Sequence, residues 1–134
     1  MYKLIDIEGI GEKYAAMLKV AGIENQTQLL ETCGQRNSRE TLAEKTGISH
    51  KLILKWTNQA DLARIKGIAE EYGELLERSG VDSVPELAQR NAEHLYHSLR
   101  ETNEQLKLVR HLPGLTQVET WVTEAKNLPR AVHY

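Results

Sequence analysis

The chain has 134 residues, enough for one ordinary domain or two very small ones. Its 40% apolar and 27% charged content is ordinary for a globular protein, and with Phe absent and aromatics at 5%, helix formers outweigh strand formers. The net charge of −2 lacks the basic surplus of a dedicated nucleic-acid binder, a single Cys excludes an internal disulfide or a cysteine-built zinc site, and no apolar run approaches a bilayer span. The first residues carry no signal-peptide pattern, and with Cys33 alone a reducing, cytoplasmic setting is expected.

In chain order, Ile7-Glu8-Gly9-Ile10-Gly11 reads as a tight turn feeding a helix that stops at Gly22, a glycine suited to a left-handed cap. Asn25 with Gln28 is a capping-box pattern that opens the next helix, and Asn37 with Glu40 is a second one. Gly47-Ile48-Ser49 then precedes a helix over residues 52–64 that contains Trp56 and runs toward the second half. From Ile65 the pattern returns. Residues 7–18 align without gaps on residues 65–76, an offset of 58, and Gly22 and Asn25 fall on Gly80 and Ser83. Gln35-Arg36-Asn37 recurs as Gln89-Arg90-Asn91. Ser83 with Glu86 and Thr116 with Glu119 repeat the capping patterns, and Gly114-Leu115-Thr116 precedes a helix with Trp121. An added turn is expected over residues 102–108. The apolar positions Leu29, Leu42, Ile53, Trp56, Leu75, Leu76, Leu87, Leu95, Leu99, Leu106, Val118, Trp121 and Val122 are core candidates. The expectation is an all-α fold, a tandem repeat of two compact units, 1–60 and 61–134, packed together.

Gly9-Ile10-Gly11, with Ala15 and Leu18 behind it, resembles the helix-hairpin-helix motif. The glycines admit backbone angles closed to other residues, and the apolar residue anchors the turn. The amides opening the next helix then face an anion, helped by the helix dipole. In families with this motif the anion is a nucleic-acid phosphate, contacted without regard to base sequence. Gly67-Ile68-Ala69 is a degenerate copy: the second glycine is lost, and Gly73 stands where Ala is expected. Gly47-Ile48-Ser49, Leu54-Lys55-Trp56, Ala60-Asp61-Leu62, Arg64-Ile65-Lys66-Gly67-Ile68, Tyr72, Leu75-Leu76, Gly80-Val81, Gln89-Arg90-Asn91 and Leu108-Val109-Arg110 together resemble the domain-of-unknown-function family 4332. That resemblance implies a helix-hairpin-helix-like fold and no particular activity.

The candidate nucleic-acid-binding residues are Gly9, Ile10, Gly11, Lys13, Lys51 and Lys55. Asp6, Glu8 and Glu12 oppose them. The first 60 residues hold 8 Lys or Arg against 7 Asp or Glu, and the rest hold 9 against 12. Lys13 stands where helix-hairpin-helix glycosylases place a catalytic lysine, but no Gly/Pro-rich segment leads to a partner Asp, so it reads as an exposed first-turn residue. His94 and His97 lack a third ligand. Glu70, Glu71, Glu74 and Glu77 read as a solvated helix face, Cys33 as a small buried hydrophobe, and Trp56 and Trp121 as core anchors. No catalytic constellation, cofactor, metal or small-molecule substrate is indicated, and no membrane partner. Two readings follow: a non-enzymatic module binding a DNA or RNA backbone without sequence preference, or a protein-interaction module that keeps the turns and has lost the phosphate site.

Overall fold

The computed structural model describes residues 2–69 and 71–134. They are all-helical, with eight α-helices and, in place of strands, one isolated antiparallel bridge between Lys3 and Asn25. After a 3-10 turn at Leu4–Asp6 come α1 (Glu12–Val20), α2 (Gln26–Cys33), α3 (Arg36–Thr46) and α4 (His50–Leu62). These are followed by α5 (Gly73–Arg78), α6 (Val84–Gln89), α7 (Ala92–Leu106) and α8 (Leu115–Asn127). In the first half α2 and α3 pack on α4; in the second, α6 and α7 pack on α8.

The buried apolar side chains fall into two clusters. One gathers Ile7, Ile10, Leu18, Leu29, Ile53 and Trp56, and the other Ile65, Ile68, Leu76, Leu87, Leu99 and Trp121. Residues 58 apart share local geometry. Gly9 and Gly67 both adopt φ near +90°, as do Gly22 and Gly80, the left-handed region that a Cβ disfavours. Past Gly22 the Ile23 amide donates to the Leu18 carbonyl at 2.9 Å, and past Gly80 Val81 donates to Leu76 at 2.8 Å. Both are the long return bonds of a Schellman-type helix end, and each buries the apolar residue that follows the glycine. Asn25 then caps α2 through the Gln28 amide, and Ser83 caps α6 through the Glu86 amide.

Several expectations about elements are corrected. Gln35, not Asn37, occupies the N-cap of α3, and Gly114, not Thr116, that of α8. Asn91 caps α7 through the His94 amide. Helix α4 stops at Leu62, since Ala63, Arg64 and Ile65 donate into 3-10-type and terminal bonds that turn the chain. Leu115, which the sequence sets in the place of Ile48, is exposed, whereas Pro113 two residues earlier is buried. Leu106, expected in the core, is 41% exposed at the end of α7. That helix has 15 residues against 11 in α3, the expected lengthening, and ends on Lys107 in a left-handed conformation.

Candidate functional site

The turn at Gly9 is built from its flanks inward. Ile7 and Ile10 are both buried, and the Ile10 amide donates to the Ile7 carbonyl at 3.1 Å, which closes the turn. Gly9 is then pinned from behind. The Trp56 indole N–H donates to its carbonyl at 3.1 Å, and the ring of Trp56 lies 4.8 Å from that of Tyr14. In the second half the Trp121 indole donates to the Lys66 carbonyl at 3.2 Å and sits 5.3 Å from Tyr72. The same clamp therefore reaches one residue earlier there.

Beyond that clamp the two turns diverge. Helix α1 begins directly after Gly11, which, against expectation, is extended with φ −87° and needs no glycine-only backbone; a Cβ there would stand in open space, and no side chain caps the first amides of α1. Helix α5 begins only at Gly73, the position equivalent to Ala15, so no helix N-terminus follows Ala69 directly. Ala69 instead packs against the first apolar cluster. Gly73 allows a close approach: a Cβ there would lie 2.8 Å from Oε1 of Gln59 and 3.3 Å from Cβ of Glu8. Ala69 and Gly73, where residues 65–76 depart from the expected motif, thus both contact the first half.

The two turns border one cleft of about 580 Å³, lined by Gly9, Ile10 and Gly11 on one side and Ala69 and Gly73 on the other. Its charged lining is acidic, from Asp6, Glu8 and Glu71. Desolvation raises the Glu8 carboxyl pKa above its ordinary value, the nearby Glu74 and Glu77 carboxylates raise it further, and Lys55 works against them. Glu70 lies outside the described residues.

The candidate lysines are not gathered around this cleft. Lys55 forms an ion pair with Glu77 at 3.1 Å, bridging α4 to α5. With Lys51 it borders a separate depression that also includes Ser49, Asn58 and Asp82. Lys13 is exposed on α1. Gly9, Ile10 and Gly11 are brought together with Ala69, while Gly67 and Ile68 form the floor of the second turn under Trp121. His94 and His97 are both exposed, and among the described residues no group of three or more His, Cys, Asp or Glu is arranged to hold a metal. Cys33 is fully buried, and burial pushes its thiol pKa up to about 11, so it stays protonated. No described helix is long and apolar enough to cross a membrane.

One residue escaped the sequence reading. Arg39 is 1% exposed, and its guanidinium donates to the carbonyls of Cys33 and Gly34, at 2.9 and 3.2 Å, and of His133 at 2.7 Å. The available signal was its place on the face of α3 that also carries Leu42 and Ala43, three and four residues on.

Comparisons with curated proteins and with solved structures gave no match. The family described as "Domain of unknown function (DUF4332)" matches residues 8–128, nearly the whole chain. With that span covered, the protein belongs to the domain-of-unknown-function family DUF4332.

Proposed function

We propose that this protein is a non-enzymatic, protein-binding module made of two helix-hairpin-helix-like units, working in a reducing compartment and holding a basic partner segment at the cleft between its two turns. One observation carries the reading: the space that a phosphate would enter is lined by Asp6, Glu8 and Glu71, and burial and neighbouring carboxylates raise the Glu8 pKa there. An anion would meet those carboxylates at close range in a partly desolvated site, where repulsion is strongest. A Lys or Arg side chain would relieve the same repulsion. In this reading the glycines serve the turn, and the second turn serves the joint between the halves.

A second reading is favoured by one specific feature, the uncapped first amides of α1 behind the open Gly11 position. They suit a phosphate of a DNA or RNA backbone, with Lys13 beside them and Lys51 and Lys55 at a distance. Such contacts would be few, about two or three phosphates, with a shallow salt slope on the order of −2 to −3.

Fluorescence anisotropy separates the two. The titrated probes are a labelled Lys/Arg-rich peptide, a short duplex and a single strand, each at low and moderate salt. We expect the peptide to bind, and Glu8→Gln with Glu71→Gln to weaken it about tenfold, as loss of two interfacial charges does. Nucleic acid binding on the order of tens of micromolar or tighter, abolished when a Gly11→Val side chain fills the open space before the α1 amides, would replace this reading with the second. A peptide that binds the charge-neutralised variant as tightly as the parent would also overturn it.

A further inference from the structure

Residues 129–134 leave α8 without helix or strand and bond back to the first half of the molecule, through residues that do not line the acidic cleft. Their backbone is held at three points. Arg64 donates to the Pro129 carbonyl at 2.9 Å, Arg39 donates to the His133 carbonyl at 2.7 Å, and the His133 amide donates to the Gly34 carbonyl at 2.8 Å. Two side chains add selectivity. Val132 is 2% exposed, and the Tyr134 hydroxyl donates to Oδ1 of Asn58 at 2.8 Å.

The seat is prepared by residues of α2 to α4 and the turn that follows α4, from Cys33 to Arg64. Arg39 is fixed by the carbonyls that end α2, where the negative end of the helix dipole favours a cation. Its guanidinium is buried, and among the described residues it pairs with no carboxylate and its Nε has no hydrogen-bond partner, so it is held by backbone oxygens. Arg64 is oriented by Asp61, whose Oδ1 accepts from its Nε at 2.7 Å. Gly34 leaves room for the passing backbone, since a Cβ there would stand 2.6 Å from the Ala131 carbonyl oxygen. Main-chain bonds for affinity, with a side-chain pocket and a hydroxyl contact for selection, are how proteins read extended peptides.

We propose that this groove is a peptide-recognition site for an extended protein segment carrying an aliphatic residue two places before a tyrosine. Residues 129–134 occupy it in cis as a built-in competitor. A tethered ligand of this kind acts at high effective concentration, so a free segment gains access only when the tether is weakened or released. The proposal is independent of the partner assigned to the acidic cleft, and the two sites share no lining residue.

The test uses the 134-residue chain and an end-blocked, fluorescent peptide with the sequence of residues 128–134, so that the peptide's terminal charges play no part. Anisotropy is read against the parent chain, Val132→Asp, and Tyr134→Ala. The last variant trims a half-exposed ring and leaves the folded core intact. Weakening the cis segment should let the peptide bind Val132→Asp at least about tenfold more tightly than the parent, and Tyr134→Ala about threefold. A peptide with Asp in place of its Val should fail on all of them. If the peptide binds neither variant more tightly than the parent, residues 129–134 are only a structural edge and the proposal is overturned.

Discussion

Each indole N–H in this chain ends on the carbonyl of a turn, and each of those turns carries a glycine with φ near +90°. A buried indole needs an acceptor, and a turn carbonyl facing the core needs a donor, so one bond satisfies both groups. Glu8 shows the opposite economy. Its carboxyl is pushed above the ordinary value of 4.5, first by desolvation and then by Glu74 and Glu77. The folded chain therefore holds that proton more tightly than the unfolded chain. Its contribution to stability is greatest below pH 4.5 and falls as the pH climbs through the raised value. Glu8→Gln should raise the melting temperature at neutral pH by about 1–3 °C and leave it unchanged at acid pH, a difference that thermal scans at the two pH values would detect. A uniform shift at both would place the effect in packing, not charge.

At the scale of elements, what the sequence made legible was local. Asn25 and Ser83 cap the helices they precede, and Gly22 and Gly80 end the helices before them, because those outcomes depend on a few neighbouring residues. Asn37 and Thr116 have equally good capping chemistry, yet they lie inside helices, where the start is set by how α3 and α8 dock. The Arg39 seat was invisible for a related reason: its partner His133 is 94 positions away. Gly73 illustrates the same limit, since it looks like a flaw in a helix and is instead a point of close approach between α4 and α5. Gly73→Ala should destabilise the chain by about 1 kcal/mol, overpacking against buried Gln59 outweighing the gain in helix propensity. Urea midpoints decide this, and a higher midpoint would mean that Gln59 swings aside freely.

At the scale of the whole molecule the described residues form two apolar clusters, but the halves are tied by more than their covalent link. Gln59 donates to the Gly73 carbonyl and to Glu77, Lys55 pairs with Glu77, and residues 129–134 return to the first half. Unfolding should therefore be a single event. Trp56→Phe leaves Trp121 as the reporter of the second cluster, and Trp121→Phe leaves Trp56 as that of the first. After correction for each variant's own stability, the tryptophan emission and the helical circular dichroism should trace coincident urea transitions in both variants. Emission that moves at a different urea concentration from the ellipticity would mean that the halves melt independently.

The joint between the halves also bears on whether such molecules can polymerise. It unites unlike surfaces, the outer side of α4 with α5, and a head-to-tail contact of that kind has no built-in stop. A further chain could in principle lay its own α5 against α8 as α5 here lies against α4. The side chains oppose it. Beside Trp56, α4 offers Lys55 and Gln59 to the Glu77 carboxylate; at the matching steps from Trp121, α8 carries Thr120 and Glu124. An incoming Glu77 would lose its cation and face a carboxylate. The repulsion at that face comes from Glu124, which belongs to neither apolar cluster, so a charge on one helix surface works against a repeated contact.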